Sequence, residues 1–221
     1  GMRASNGEYI TLLSNDMTVD PNWLNPIMTL MKSDLKIGLA GFKRLLHGKT
    51  GVLDGIGGDL YLCGRVKPIG TWEIDSGQYD SIKEDIDYIG GAMVLRRAAL
   101  EETGLFDPAF YVFSEDIDLC FRIRKHGYKV IYVPNALIHH RGQATLKGQD
   151  PKGQYLEYMS YRSRVRCAIL HFVFPRLLST FLIDAVSLVV ANSITKKSLL
   201  RAYWWNLKNS TPALKARLRD G

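Results

Sequence analysis

The stretch YVFSEDIDLCFRIRKHG, residues 111–127, has the pattern of a complete amphipathic helix. Ser114 is a good N-cap residue, acids fill the first turn after it, and basic residues fill the last turn before Gly127. Three apolar residues recur at helical spacing, namely Leu119, Cys120 and Ile123. We therefore predict a helix that begins after Ser114, ends at Gly127 and buries one apolar face.

The acids at the start of this helix are candidates for chemistry. Glu115 and Asp116 lie where the helix dipole stabilises a carboxylate, and a general base must be ionised to accept a proton. Capping of the helix explains the same two acids equally well. Asp118 lies two residues further on and points elsewhere around the helix, so we predict a structural role for it.

Upstream of this helix, residues 88–95 are predicted to form a strand that is broken by Gly90 and Gly91. The glycine pair either lets the backbone approach a substrate closely or permits a bulge. A short helix is predicted over residues 97–103, closed by Gly104.

Near the amino terminus, the apolar run of residues 9–13 is predicted to be a strand that stops at Ser14-Asn15-Asp16. Asp20 and Pro21 are expected to cap and start a helix directly afterwards. Asp16 then lies between a strand and a helix, where open α/β sheets place their ligand crevice. An acid there suits a hard divalent cation, although a simple turn accounts for it too.

Between these segments, residues 37–40 are predicted to be a strand, and residues 41–85 a long excursion with one hairpin. Trp72 lies in this excursion, where it can stack on a sugar or serve packing. Residues 129–133 and 136–140 are predicted to be two short strands. His139 and His140 are adjacent in the second, so they face opposite sides and at most one reaches a given metal.

The composition, 46% hydrophobic and 23% charged, is that of a globular domain with a helical extension. Three widely spaced cysteines disfavour a disulfide framework or a structural zinc site and favour a reducing, cytoplasmic compartment. The net charge of +7 is concentrated in residues 155–221, which indicates either an anionic neighbour or simply a solvated face of a helical tail. The most apolar stretch, residues 172–191, is interrupted by charges and proline, so we expect it to be buried or interfacial.

Taken together, these motifs resemble those of the family 2 inverting glycosyltransferases, especially the rhamnosyltransferase-like branch. The resemblance covers about residues 9–145, and residues 90–140 carry its most specific part. The motifs in order are Asn15-Asp16, Asp87-Tyr88-Ile89-Gly90-Gly91-Ala92, Phe106-Asp107, Tyr111-Val112-Phe113-Ser114-Glu115-Asp116-Ile117-Asp118-Leu119, Gly127-Tyr128 and His139-His140-Arg141-Gly142.

The resemblance implies roles for individual residues. Asp16 matches the last acid of the family's metal-binding DxD-like motif, in which Ser14 replaces the first acid. Asp116, with Glu115 beside it, matches the base that deprotonates the acceptor hydroxyl. His140 matches the family's metal histidine better than His139 does. The remaining matches, which line the donor sugar and the acceptor, are Asp87, Gly90 and Gly91.

The resemblance also implies an α/β fold, a partial GT-A domain with a Rossmann-like mixed sheet over residues 1–150. Over residues 151–221 the resemblance is only loose, and from their charge we expect a basic helical extension that lies against a membrane. The family begins with strands that hold the nucleotide, whereas only residues 3–8 precede the first strand here. We therefore expect either a fragment or a natural half that completes its sheet with another chain.

The expected function is transfer of a sugar from a nucleotide diphosphate sugar to a hydroxyl of a glycan or lipid-linked acceptor, with inversion. Mg or Mn would assist the reaction, at the cytoplasmic face of the cell membrane during polysaccharide biosynthesis. The alternative is a non-catalytic remnant or binding module without a donor pocket. A nucleic-acid-binding module rests on charge alone, with no recognition motif, so nucleic acid is not an expected partner. We also expect a two-fold homodimer that covers the bare strand at residues 9–13.

Overall fold

A computed structural model describes residues 1–84, 86–141, 150, 153–209, 211 and 215. These residues fold into two compact units, and each is described by itself. The first consists of residues 1–59 and 67–106 with the described part of 119–144. The second consists of residues 60–66 and 107–118 with the described part of 145–221. Gly142 and Thr145, which belong to the resemblance above, lie outside the described residues, as do most residues around the domain boundary predicted at 150.

The described residues form eight strands, six α-helices and a short 3-10 helix, Met2–Ala4. The strands are β1 Tyr9–Leu12, β2 Met17–Val19, β3 Ile37–Leu46, β4 Leu53–Gly55, β5 Gly57–Leu60, β6 Val66–Ile69, β7 Met93–Arg96 and β8 Lys129–His140. The helices are α1 Asn25–Ser33, α2 Arg97–Thr103, α3 Glu115–Lys125, α4 Gln154–His171, α5 Phe174–Val190 and α6 Ser193–Lys208.

The main sheet of the first unit is mixed, with the order β1-β7-β3-β8-β2 and with β4 paired to β3. β3 and β8 run parallel to each other in its centre, and the other pairs are antiparallel. Both central strands are buried over most of their length because both faces of the sheet are covered. β5 and β6 form a separate two-stranded sheet.

Two apolar clusters cover the two faces of the main sheet. One contains Leu39 and Tyr132 of the central strands together with the apolar face of α3. The other contains Phe42 and Ile131 together with Ile27 and Met31 of α1. The sheet therefore lies between helices, which is the layered arrangement expected of an α/β domain.

The two helices that the sequence predicted most clearly are confirmed. α2 spans Arg97–Thr103, and Gly104 follows it with a φ of 79°, in the left-handed region that closes helices. α3 spans Glu115–Lys125, and its three predicted apolar residues, Leu119, Cys120 and Ile123, are fully buried. Capping and 3.6-residue periodicity are local properties, so they could be recognised without the fold.

The predicted strand over residues 88–95 is wrong in its first half. β7 begins only at Met93, and Tyr88 instead bridges to Gly58 outside the main sheet. Gly91, with a φ of 80°, turns the backbone between these two pairings.

The two strands predicted around Pro134 are a single strand, β8. Phe42 pairs with Val133, but the next residue, Lys43, pairs with Leu137, so residues 134–136 form an irregularity in the ladder. Because Pro134 has no N–H to donate, it is tolerated at such a bulge.

The predicted excursion over residues 41–85 contains more regular structure than expected. β3 continues to Leu46 and is followed by β4, β5 and β6. The sequence pattern did not predict that β3 continues beyond Ala40, because the added part of the strand contains polar residues. Lys43 is buried in ion pairs with Asp75 and Asp80, and Arg44 is paired with Asp54, contacts that only the folded chain supplies.

The helix predicted to start at Asp20 begins instead at Asn25, with Pro26 in its first turn. Asn22 has a φ of 63°, which interrupts any helix at that point. A short strand, β2, also intervenes, so Asp16 lies in the turn between β1 and β2 and not at the entrance to a helix.

The second unit contains the predicted carboxyl-terminal helices α4, α5 and α6. Its interior includes ion pairs: Arg164 with Asp184, and Arg166 with Asp107. Within the part of the chain that the structure describes, no helix has the length and apolar character needed to span a bilayer.

Candidate metal and donor site

Strand register brings Asp16 and His140 together at one edge of the main sheet. Met17, the first residue of β2, pairs with His140, the last residue of β8. The N–H of Arg141 donates to the carbonyl of Asp16 at 2.9 Å, which extends the pairing by one step. Residues 124 positions apart in sequence thus become neighbours through backbone geometry.

His140 lies between two carboxylates. Its Nε2 is 3.1 Å from Oδ2 of Asp16, and its Nδ1 is 3.0 Å from Oδ2 of Asp54 in β4. All three side chains are partly buried. A histidine that donates one ring N–H to a carboxylate has a defined tautomer and orientation, and its other nitrogen is then available as a ligand.

Arg44 connects these acids to the glycine pair. Its Nε donates to Oδ2 of Asp54 at 3.0 Å, and its Nη1 donates to the carbonyl of Gly90 at 2.8 Å. We call Asp16, Arg44, Asp54 and His140 the sheet-edge cluster. Its two acids, one arginine and one histidine form a continuous charged network, in which each carboxylate has a positively charged or hydrogen-bonding neighbour.

Gly91 borders the sheet-edge cluster. Ser14 donates its hydroxyl to the carbonyl of Gly91 at 3.1 Å. Gly91 adopts a φ of 80°, and a Cβ there would lie 3.1 Å from Cε of Met17. A side chain would therefore be both strained and crowded, which accounts for glycine at this position.

The arrangement of Asp16 and His140 fits a divalent cation. Two cis ligands of an octahedral Mg²⁺ lie about 3 Å apart, because the metal–ligand bonds are about 2.1 Å long. The observed separation of 3.1 Å between Nε2 and Oδ2 is of this size. Among the described residues no group of three or more His, Cys, Asp or Glu could hold a metal by itself. Magnesium in enzymes is commonly bound by one or two carboxylates with substrate phosphates completing its shell.

The other predicted site residues of the first unit lie apart from this contact. Nε2 of His139 is 2.9 Å from Oδ1 of Asp20, so the two histidines have different partners, as strand alternation requires. Asp87 donates its N–H to Oδ1 of Asp59 at 3.4 Å, and Arg124 donates to its carbonyl. Trp72 is 64% exposed, and Nζ of Lys49 is 4.4 Å from its ring centroid.

Glu115 and Asp116 form the first turn of α3 and belong to the second unit. Oδ1 of Asp116 accepts a hydrogen bond from the N–H of Ile117 at 2.8 Å. Oε2 of Glu115 is buried without a hydrogen-bond partner, and burial raises the pKa of this carboxyl above its usual range. Asp118 is buried and its Oδ1 lies 2.8 Å from Nε2 of His171, in keeping with the structural role predicted for it.

The backbone just before these acids is strained. Tyr111, Phe113 and Ser114 have φ values of 60°, 65° and 60°. Residues other than Gly, Asn and Asp seldom adopt this left-handed backbone conformation. Such outliers concentrate at functional sites, where the surrounding structure holds them in place. In the second unit, Ser163 donates to the carbonyls of Phe110 and Val112 and so braces this segment.

A sequence model of the glycosyltransferase-like family 2 matches residues 1–152, more than half of the chain. The chain belongs to this family.

Two curated relatives of this family 2 chain have names that describe O-antigen biosynthesis and rhamnosyl transfer. The O-antigen biosynthesis protein RfbC of Myxococcus xanthus is 28% identical over 167 residues, which are 72% of this chain and 13% of that protein. The N-acetylglucosaminyl-diphospho-decaprenol L-rhamnosyltransferase of Mycobacterium tuberculosis is 38% identical over 63 residues, 28% of this chain and 20% of that protein. The family 2 chain thus spans a small part of the length of these relatives.

A solved structure supports the GT-A fold. GalNAc-T7, crystallised with UDP, GalNAc and Mn²⁺, superposes with a TM-score of 0.54 and 16% identity, covering 76% of the family 2 chain and 32% of GalNAc-T7. The predicted α/β class and partial GT-A fold are therefore confirmed.

Two members of the sheet-edge cluster of this family 2 chain, Arg44 and Asp54, were not predicted as site residues. Both lie in the segment read as an irregular excursion, 10 residues apart in sequence. In the sequence these positions show only an arginine and an aspartate a few residues apart, and such a pair is too common to indicate a binding site. Their importance follows from the pairing of β3 with β4 and β8.

Proposed function

We propose that this chain belongs to an inverting transferase that moves a sugar from a nucleotide diphosphate sugar to a hydroxyl of a glycan or a lipid-linked acceptor. The observation that carries the proposal is the contact between Asp16 and His140, 3.1 Å, with Asp54 behind the histidine. Family membership supports sugar transfer in general, and one relative is named for O-antigen biosynthesis and another for rhamnosyl transfer.

In this proposal Asp16 and His140 hold Mg²⁺ or Mn²⁺. When bound, the cation would neutralise charge on the diphosphate leaving group. Asp54 orients His140 through Nδ1, and Arg44 keeps Asp54 in place. Ser14, which stands in the position of the motif's first acid, donates to Gly91 and so supports the backbone beside the metal ligands. His139 lies at the same strand end but is paired with Asp20 and does not face Asp16, so it serves as a control for His140.

Asp116 is proposed as the general base that accepts the proton of the attacking hydroxyl. Its position in the first turn of α3 stabilises the ionised form that a base requires. Burial raises the pKa of Glu115, next to it, and one oxygen of Glu115 has no hydrogen-bond partner. Inversion at the anomeric carbon requires that the base and the leaving group act from opposite sides of the sugar.

The remaining proposed contacts concern substrate binding. Gly90 and Gly91 allow the backbone to approach the donor, and Asp87 lies beside them in sequence. Trp72, which is exposed and has Lys49 beside its ring, offers a face for a sugar ring. Contact with the inner face of the cell membrane and a two-fold homodimer through the edge strand β1 complete the proposal.

Binding of nucleoside diphosphates tests the proposal at its central contact. The full chain is titrated calorimetrically with UDP, GDP and dTDP, with and without Mn²⁺. We expect Mn²⁺-dependent binding of one of them that Asp16→Asn removes and that Asp20→Asn, the matched change at the His139 pair, retains. Absence of nucleotide binding in the complete protein as well would instead support the alternative, a non-catalytic binding module.

A further inference from the structure

Helix α5 has its polar residues turned toward the protein. Thr180 and Asp184, 0% and 1% exposed, are its most buried residues. Asp184 accepts hydrogen bonds from Arg164 at 2.7 and 2.6 Å and from the hydroxyl of Tyr203 at 2.6 Å. Thr180 donates to the carbonyl of Arg176 at 2.9 Å, and Arg176 donates to the carbonyl of Leu60 at 3.0 Å.

The opposite side of α5 is apolar and exposed. Its side chains recur at helical spacing along four turns, and Val189 reaches 76% exposure. We call these side chains the α5 apolar face: Phe174, Leu178, Phe181, Leu182, Val186 and Val189. A helix on the surface of a water-soluble protein normally has the reverse orientation, with its apolar stripe inward. A contiguous exposed patch of this kind marks a surface that something else covers.

Helix α6 adds positive charge next to this face. Its exposed side combines Leu200, Trp204 and Leu207 with Lys197, Arg201 and Lys208. We call these three basic residues the α6 basic row. The two helices are in direct contact, because the rings of Phe181 and Tyr203 lie 5.9 Å apart and Nζ of Lys196 donates to the carbonyl of Val189 at 2.9 Å.

The charge of this surface has one sign. Residues 174–208 contain a single acid, Asp184, which is buried and paired with Arg164. They contain five basic residues: Arg176, Lys196, Lys197, Arg201 and Lys208. A second copy of the chain docked on the same surface would place these like charges opposite one another. A bilayer with anionic headgroups offers both complements at once, namely apolar acyl chains and negative phosphates.

We propose that α5 and α6 form a membrane-docking surface for anionic phospholipids. The α5 apolar face enters the boundary between headgroups and acyl chains, and the α6 basic row binds headgroup phosphates. Trp204, with Nζ of Lys208 4.8 Å from its ring centroid, lies at the level where tryptophan and lysine are enriched in membrane interfaces. α5 lies parallel to the bilayer, because its Asp184 side stays bonded to Arg164 and Tyr203.

This surface deepens the membrane contact of the proposed function by naming the helices, the lipid charge and the orientation. Docking would hold the enzyme where lipid-linked acceptors lie. Membrane docking does not depend on catalysis. The vesicle test can therefore fail while the proposal of sugar transfer holds, and sugar transfer can be disproved while membrane docking holds.

The test is co-sedimentation of the full chain with vesicles of phosphatidylcholine alone and of equal parts phosphatidylcholine and phosphatidylglycerol. We expect binding to the anionic vesicles and weak binding to the neutral ones. Val186→Glu combined with Val189→Glu should lower the affinity for anionic vesicles at least tenfold. Each replacement by serine in the α6 basic row should lower it about fivefold, which is the share of one basic residue near a charged membrane.

Leu35→Glu is the matched control, since Leu35 is an apolar residue of the first unit that is 70% exposed. This variant should bind vesicles as the unchanged chain does, and circular dichroism of all variants should show an intact fold. The proposal is overturned if the unchanged chain ignores anionic vesicles, or if Leu35→Glu weakens binding as much as the α5 changes do. Sedimentation that shows a dimer broken by the α5 changes, with no vesicle binding, would assign the surface to a second copy instead.

Discussion

The two units differ in where their functional candidates and their apolar surfaces lie. In the first, apolar clusters cover both faces of the main sheet, and the sheet-edge cluster of Asp16, Arg44, Asp54 and His140 lies where strands end, partly open to solvent. In the second, polar side chains such as Arg164 and Asp184 are buried, whereas much of α5 exposes apolar residues. Polar groups at a strand edge remain available for ligands, whereas the buried ion pair of Arg164 and Asp184 inside the helical unit serves architecture.

This contrast implies that substitutions in the two regions have different effects, on function in one and on stability in the other. Changes of site residues should affect binding or catalysis at nearly unchanged stability, and changes in the helical interior should unfold the chain. The predictions below are arranged from the largest expected effect to the smallest.

Asp116→Asn in the complete enzyme should lower the rate of sugar transfer by about 10²–10⁴-fold, because the amide cannot accept the proton of the acceptor hydroxyl. Donor affinity should change little, since shape and metal ligands are kept. Steady-state kinetics and donor titration measure the two effects. Equal loss of both would make Asp116 a ligand and not a base.

Asp184→Ala should destabilise the chain by about 3–5 kcal/mol, because it leaves the buried guanidinium of Arg164 without its counter-charge. Val189→Ala, on the exposed side of the same helix, should stay within about 0.5 kcal/mol. Urea denaturation of both variants compares the two faces of α5. A mild effect of Asp184→Ala would show that the pair is not what holds α5 in its reversed orientation.

Asp54→Asn should weaken Mn²⁺-dependent nucleotide binding about 10–100-fold by removing the carboxylate that orients His140. His140→Ala should weaken it at least as much, and His139→Ala should leave it near the original value. Calorimetric titration provides the comparison. If His139→Ala and His140→Ala weaken binding equally, the assignment of His140 as the ligand fails.

Glu115 should make a small, pH-dependent contribution to stability. Burial raises the pKa of this carboxyl above its ordinary value of 4.5 in the folded chain, so folding binds a proton that the unfolded chain releases. The stability it contributes is present below pH 4.5 and is lost as the pH rises through the higher folded-state value. Glu115→Gln should therefore be more stable than the unchanged chain near pH 7, with the difference shrinking toward pH 4.

Thermal melts of both forms across this range measure that difference. Glu101→Gln, an exposed glutamate of α2, is the control and should show no such trend. Identical pH profiles for Glu115→Gln and the unchanged chain would mean that Glu115 is hydrated or paired in solution.

The sequence alone determined the positions of two helices, because helical patterns can be recognised without knowledge of the fold. The bounds of α2 and α3 follow from capping, charge placement and periodicity, which act between residues a few positions apart. The motifs around Asp16, Gly90, Glu115 and His140 sufficed to indicate the family, and the family match bears this out.

Only the tertiary structure decided which residues meet. Asp54 and Arg44 lie near His140 because β3 pairs with both β4 and β8. The pairing of β3 with β8 joins residues far apart in the sequence, so no local pattern predicts it. The apolar pattern of α5 likewise predicts two faces but not which one points inward. Here the hydrogen bonds of Asp184 with Arg164 and Tyr203 hold the polar face inward, because a buried charge is stable only with its partners, whereas an exposed apolar side chain leaves no charge unpaired.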